Sequence, residues 1–126
     1  MDIIYTTPKK YVKYDKDHYL LYLNETIIEN YIPNDCEIAA VTAYKYAGDQ
    51  EDGATKINAT EVEYGAFVAG LIRKRYSESD AEAIQSNMLV AVSQPSHSRA
   101  VEFLEEFNVY QRYREECKAK IATLLS

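Results

Sequence analysis

Cysteine and histidine are among the side chains that could serve as nucleophile, base or metal ligand, and the chain holds two of each. Catalysis by a thiol needs a base beside it that a third group orients. Cys117 lies on an apolar helical stripe, which indicates a buried structural thiol. His18 and His97 lie in polar, turn-like segments, and neither has a second histidine at metal-ligand spacing. We interpret both histidines as surface residues and predict no catalytic residue, no metal site and no cofactor.

The two cysteines also bear on the redox environment. Cys36 and Cys117 are far apart in the sequence and form no metal-like cluster. Their number and spacing favour two free thiols in a reducing compartment, with a disulfide as the alternative.

An acidic loop, Gly48–Gly53, has a composition that suggests calcium binding. An EF-hand loop places glycine at its sixth position and glutamate at its twelfth. Counted from Asp49, those positions hold Ala54 and Thr60, so the pattern fails. Aspartate followed by glycine favours a tight turn. We therefore predict a solvated hairpin tip.

The one basic cluster of the sequence is Arg73–Tyr76. We expect it in the last turn of a helix, where cations complement the helix dipole. Two alternatives stay open: contact with phosphate or nucleic acid, and ion pairs with Glu105, Glu106, Glu115 or Glu116. The net charge of −6 disfavours nucleic acid and anionic membranes as partners.

The part of the chain from Thr60 to Leu125 has the apolar period of three successive helices. Capping boxes open the first helix at Thr60–Glu63 and the second at Ser79–Glu82, with a start at Ser77 as the alternative. The third helix is expected over about Arg99 to Leu124. The positions predicted to face inward are Tyr64, Phe67, Val68, Leu71 and Ile72; Ala81, Ile84, Met88 and Val92; and Phe103, Phe107, Tyr110, Cys117 and Ile121.

Two glycines interrupt the first predicted helix. Gly65 and Gly70 each cost about 1 kcal/mol relative to alanine inside a helix. Close packing against a neighbouring element would explain them, and a hinge is the alternative.

Residues 1–59 are rich in strand-forming side chains. Residues 9–23 predict a hairpin around a turn at Asp15–Asp17. Thr26–Ile32 is a candidate third strand and Glu37–Tyr46 a fourth. A further strand, Thr55–Ala59, is expected to return as the partner of the fourth.

These elements predict the fold class and the domain organisation. We expect one α+β domain over residues 1–126, in which antiparallel hairpins or a meander precede three C-terminal helices. The strand-rich part covers residues 1–59 and the helical part residues 60–126.

Tyrosine is unusually frequent, with 12 copies against three Phe and no Trp, and eight of them precede residue 47. Tyrosine is enriched both at interfaces and in strands, so both interpretations stay open. The segment Tyr19–Leu23 is apolar on both faces, and the helices can cover only one. We therefore predict contact with a partner protein or with a second copy, as a homodimer. The candidate interface residues are Tyr19, Leu20, Tyr22, Tyr44 and Tyr46.

Two segments resemble the C-terminal part of small proteins from phage and prophage tail regions. They are Leu71–Ile84, with its IR, YS, SD and AI pairs, and Phe107–Lys118, with its YR and CK pairs. Together with Tyr44–Gly53, the resemblance spans about residues 44–120. It implies a non-enzymatic tail accessory or assembly protein that acts through protein–protein contacts, and it carries over no catalytic residue.

The alternative to this function is a small-ligand or carbohydrate-binding module that uses a tyrosine-rich sheet face. The N-terminal sequence Met1–Tyr5 lacks the features of a signal peptide, and no apolar run is long enough to span a membrane. We expect a location in the host cytoplasm without membrane contact, with association with the virion as a further alternative.

Overall fold

The computed structural model describes residues 2–33 and 39–126, which form six strands followed by three helices. The strands are β1 Asp2–Tyr5, β2 Tyr11–Asp15, β3 His18–Leu21, β4 Thr26–Tyr31, β5 Val41–Ala47 and β6 Thr55–Asn58. The helices are α1 Tyr64–Ile72, α2 Glu78–Ser93 and α3 Ala100–Leu124. The α+β fold with antiparallel strands before three helices is confirmed. Cys36 and the predicted strand start at Glu37 lie outside the described residues.

The strands form two antiparallel sheets of three, in the orders β1-β5-β4 and β2-β3-β6. The predicted hairpin is confirmed, because β2 pairs with β3 and places Tyr11 opposite Leu21. The predicted return of Thr55–Ala59 beside β5 is wrong. Both edges of β5 are occupied by β1 and β4, and β6 pairs with β3, with Ile57 opposite Tyr19. The loop after β5 therefore carries the chain from one sheet to the other.

The main core lies between the second sheet and the helices. Phe67 of α1 is fully buried, and its ring centroid lies 5.2 Å from that of Tyr19. Burying a side chain of this size contributes about 1.5–3 kcal/mol to folding. The other buried members are Leu21, Leu23, Ile57, Ala59, Val68, Leu71, Ile72, Ala81, Tyr110, Cys117, Ile121 and Leu124.

The first helix begins later than the sequence suggests. Its N-cap is Glu63, whose carboxylate accepts hydrogen bonds from the backbone N–H groups of Gly65 and Ala66 at 2.9 and 2.8 Å. The predicted capping box at Thr60 is therefore wrong. Glutamate satisfies two of the helix's unpaired N–H groups by itself, so the helix starts directly after it.

The second helix begins earlier than first expected. Oγ of Ser77 accepts a hydrogen bond from the Asp80 N–H at 3.0 Å, and the Asp80 carboxylate accepts one from the Ser77 N–H at 3.3 Å. The prediction of Ser79 as the N-cap is wrong, and the alternative start at Ser77 is confirmed. Both serines precede an acidic residue by three positions, and the helix uses the earlier pair.

The third helix, Ala100–Leu124, matches its predicted bounds. Four of its five predicted inward positions are buried, and Phe107 is half-buried. Two inward predictions on the other helices are wrong: Tyr64 is 44% exposed and Val92 is 62% exposed. Both α1 and α2 pack on α3, and these two side chains lie off the packed surfaces. Within residues 2–33 and 39–126, no helix combines the length and hydropathy needed to cross a membrane.

Candidate functional site

The structure buries most of the candidate interface inside the chain. Tyr19 lies in the main core, and Tyr22 and Tyr46 are 7% and 0% exposed. Leu20 and Tyr44 are half-buried and pack against those two tyrosines. Four of the five candidates thus come together, but between the two sheets of one molecule.

We name this second core the inter-sheet cluster; its members are Tyr5, Leu20, Tyr22, Tyr44, Tyr46 and Ala54. It covers the face of β3 that the helices leave open. Leu21 on this strand is buried in the main core, and the adjacent Leu20 packs into the inter-sheet cluster. The apolar face that motivated an interface at Tyr19–Leu23 is therefore covered without a partner.

Aromatic packing is close within the inter-sheet cluster. The ring of Tyr22 lies edge-on to Tyr5 and Tyr46, with centroid distances of 6.0 and 5.6 Å. The ammonium of Lys9 lies 4.5 Å from the Tyr5 ring centroid and 5.4 Å from that of Tyr22. Edge-on aromatic pairs and cations over rings both stabilise such a cluster.

The buried hydroxyl groups of this cluster have partners. Tyr22 donates to Oδ2 of Asp52 at 2.8 Å, and Tyr46 donates to Oε2 of Glu25 at 2.8 Å while it accepts from the Lys9 N–H. Burial and the adjacent carboxylate raise the pKa of Tyr22, and burial raises the pKa of Tyr46 to about 12. These contacts explain the two tyrosines as structural residues.

The acidic loop is not a hairpin tip, which corrects the prediction from its sequence. It connects β5 to β6, which lie in different sheets. The Asp49 carboxylate forms an ion pair with Lys74 and accepts a hydrogen bond from the Lys56 N–H at 3.2 Å. Burial alone would raise the pKa of Asp49, but Lys74, the Gln50 amide and the Lys56 N–H together lower it.

The basic cluster lies in the turn after α1, since that helix ends at Ile72, and not in its last turn as predicted. Lys74 pairs with the acidic loop, and the guanidinium of Arg75 lies 5.0 Å from the ring centroid of Tyr113. Among the ion pairs of the described chain, none joins this cluster to the glutamates of α3. Arg73 therefore has no carboxylate partner there.

The thiol and the histidines occupy structural positions. Cys117 is a free thiol with 1% exposure, and burial raises its pKa. Nδ1 of His18 lies 2.8 Å from Oδ1 of Asp15, and Nδ1 of His97 accepts from the Arg99 N–H at 3.0 Å. Both histidines are half-buried rather than fully exposed. In the described ranges, no three His, Cys, Asp or Glu side chains assemble as a metal site.

A groove of about 750 Å³ separates α1 from α2 and has α3 as its floor. We name it the helical groove. Its lining residues are Tyr64, Gly65, Val68, Ala69, Ile72, Arg73, Gln85, Met88, Leu89, Phe107, Tyr110, Gln111, Arg114 and Lys118. The short α1 ends before it can cover the whole surface of the 25-residue α3, which leaves the floor accessible.

The helical groove combines an apolar surface with positive charge. Three of its lining residues are cationic, namely Arg73, Arg114 and Lys118, and none is acidic. This distribution differs from that of the whole chain, in which acidic residues outnumber basic ones by 20 to 14. The groove therefore has the charge and surface to bind an acidic, partly apolar partner.

Exposed apolar residues lie at or near the groove. Leu89 lines it and is 65% exposed, and Val92, three residues later on α2, is 62% exposed. On α3, Leu104 lies three residues before the groove residue Phe107 and is 39% exposed. Residues spaced by three are neighbours on a helix surface. Apolar residues grouped in this way mark protein-interaction surfaces.

Sequence reasoning missed the helical groove, although a signal was present. Leu89 is apolar but falls off the stripe that predicts the buried face of α2. Comparisons of the chain with protein-family models, with curated proteins and with solved structures gave no match.

Proposed function

We propose that this protein is a non-enzymatic assembly or accessory protein of a phage or prophage tail region that acts through protein–protein contacts at the helical groove. The exposure of Leu89 at a groove lined by cations carries this proposal. An apolar centre with a charged rim is typical of protein interfaces. The resemblance of residues 44–120 to tail-region proteins supplies the biological setting, including action in the host cytoplasm or on the virion.

The alternative, a ligand-binding module on a tyrosine-rich sheet face, receives less support. Carbohydrate recognition of this kind needs exposed aromatic rings, whereas Tyr19, Tyr22 and Tyr46 are at most 7% exposed. Their hydroxyl and ring contacts are made within the chain. The helical groove is therefore the site that we favour.

Co-purification with the products of adjacent genes tests the proposal. We expect the neighbours to include tail genes, and one of their products to form a complex of fixed stoichiometry with this chain. Leu89→Asp should abolish that complex, because it replaces an exposed apolar side chain of the groove with a carboxylate. Size exclusion with light scattering measures the mass of each mixture.

A matched control keeps this test specific. Ile32 is 63% exposed and does not line the groove, so Ile32→Asp makes a similar change elsewhere and should leave the complex intact. If the adjacent genes encode metabolic enzymes and none of their products binds this chain, the proposal is overturned. If Leu89→Asp and Ile32→Asp weaken the complex equally, the groove is not the site of contact.

A further inference from the structure

We propose that the helical groove binds the N-terminal half of α3 from a second copy of this chain, in a head-to-tail contact. This inference rests on one part of the proposed function, the helical groove as a protein-contact site, and it adds a second copy of the chain as an occupant of that site. The occupying surface, which we name the acidic face, consists of Val101, Glu102, Glu105, Glu106 and Val109.

The groove side of this contact offers positive charge that is not neutralised. Arg73 and Arg114 form no ion pair with any residue in the described part of the chain. Nη1 of Arg114 donates a hydrogen bond to Oε1 of Gln111 at 2.7 Å, which holds the guanidinium at the groove. Lys118 adds a third cation, although it pairs with Glu115 at 3.1 Å. An incoming carboxylate would therefore find at least two available guanidinium groups.

The acidic face offers the complementary features. Glu105 and Glu106 form no ion pair within residues 2–33 and 39–126, and only Glu102 is paired, with Arg99. All three glutamates line another groove, of about 460 Å³, together with Val109 of the same helix and with Tyr76 and Ile84. Val101 is 71% exposed and Val109 is 37% exposed. Val101, Glu105 and Val109 follow one another at intervals of four residues, so the three side chains form one row on the helix.

The two surfaces cannot meet within one molecule. Arg114 follows Glu105 by nine residues, or two and a half turns, so their side chains leave α3 on opposite sides. A two-fold dimer that joined groove to groove would bring arginines together. A head-to-tail contact instead pairs guanidinium groups with carboxylates and exposed valines with the apolar groove. Such a contact leaves one groove and one acidic face open, so it builds rings or filaments.

Mass measurements on the purified full chain test this inference. At about 50 mM salt, we expect the mass to rise with concentration above the 14.4 kDa of one chain, and to return to one chain at about 500 mM salt, because ions screen the charged contact. Arg114→Glu and Glu105→Lys should each weaken association by at least about 10-fold. If Arg114→Glu fails to fold, Arg73→Glu, in the exposed turn after α1, replaces it as the charge reversal on the groove side.

The decisive measurement is charge exchange. The double variant Arg114→Glu with Glu105→Lys should associate again, because each groove then meets a face of opposite charge. Lys16→Glu, in the β2–β3 turn, changes the net charge as Arg114→Glu does and should associate like the natural chain.

Several outcomes would overturn the inference: one chain at every concentration, no effect of the single variants, or no recovery in the double variant. A monomer that still binds a tail-gene product through Leu89 would overturn this inference alone. If the chain forms the oligomer but binds no tail-gene product, the proposed role in assembly with other proteins is overturned, while the contact between copies of the chain stands.

Discussion

The Tyr22 hydroxyl donates a hydrogen bond to Oδ2 of Asp52 at 2.8 Å, which ties the chain just after β3 to the loop that enters β6. The same aspartate accepts from the Ala54 N–H through Oδ1 at 3.0 Å. Its backbone carbonyl accepts from the Tyr5 hydroxyl at 2.5 Å. One loop residue therefore contacts Tyr5, in a strand of the first sheet, and Tyr22, which directly follows a strand of the second.

We expect Tyr22→Phe and Asp52→Ala to be coupled in their effects on stability. A hydrogen bond to a carboxylate contributes about 1.5–3 kcal/mol, so each change should lower the free energy of unfolding by about 2 kcal/mol. The double variant should lose less than the sum by about 1 kcal/mol or more. Urea unfolding measures all four proteins. Tyr14→Phe, at a ring that is 54% exposed, should be nearly neutral, and additive losses would contradict the coupling.

The start of α2 provides a second prediction. Ser77→Ala removes the acceptor for the Asp80 N–H and should lower the free energy of unfolding by about 1 kcal/mol. Ser79 lies inside the helix and makes no cap, so Ser79→Ala should change stability by less than about 0.5 kcal/mol. Chemical denaturation of both variants compares them directly, and the reverse order would show that the helix starts at Ser79.

The sequence predicts well the elements whose signals are local. The third helix carries apolar residues at helical spacing over 25 positions, so its bounds and buried side could be read directly. The β2–β3 hairpin follows from the turn at Asp15–Asp17 between two strand-forming runs. In both cases the residues that decide the structure are close together in the chain.

Strand pairing was not predictable in the same way. The pairing of β6 with β3 joins residues about 38 positions apart, such as Tyr19 and Ile57, and depends on which strand edges are occupied. β1, Asp2–Tyr5, occupies one edge of β5 and had no strand prediction. The Asp52-Gly53 turn signal is local and predicts a hairpin, whereas the Asp52 carboxylate accepts a hydrogen bond from Tyr22, which follows β3.

At the candidate site, too, local sequence signals predict the apolar residues but not the tertiary contacts that they make. The sequence correctly predicts that both faces of Tyr19–Leu23 are apolar, but a second sheet covers the face that it assigns to a partner. The helical groove depends on where α1 and α2 lie on α3, which helical periodicity does not determine. Tertiary placement, rather than the type of any single residue, creates this groove.

The two glycines of α1 provide a matched pair of substitutions. A Cβ at Gly70 would lie 2.5 Å from the backbone oxygen of Asn58, which confirms close packing there. Gly70→Ala should therefore destabilise the protein, although alanine favours helix by about 1 kcal/mol. A Cβ at Gly65 would have the Glu63 side-chain carboxylate as its nearest neighbour, at 3.2 Å, and no backbone atom as close as at Gly70, so Gly65→Ala should destabilise the protein less than Gly70→Ala. Thermal unfolding compares them, and equal stability changes would contradict the packing argument.

The last prediction concerns the Tyr46 hydroxyl at alkaline pH. Burial raises the pKa of this group to about 12 in the folded chain, against about 10 for an exposed tyrosine. Between these values, the unfolded chain releases the proton while the folded chain keeps it. The protonated Tyr46 hydroxyl therefore makes its full contribution to the free energy of unfolding below about pH 10. This contribution decreases by up to about 1.4 kcal/mol per pH unit as the pH rises towards 12.

Tyr46→Phe removes this titrating group and isolates its effect. At neutral pH the variant should be less stable by about 1–2 kcal/mol, because Glu25 and the Lys9 N–H lose their partner. Between about pH 9 and about pH 11, however, its free energy of unfolding should fall less steeply than that of the natural chain. Urea unfolding followed by circular dichroism measures both slopes, with Tyr14→Phe as the exposed control. Parallel slopes for Tyr46→Phe and the natural chain would mean that this hydroxyl ionises in the folded protein as readily as in the unfolded one.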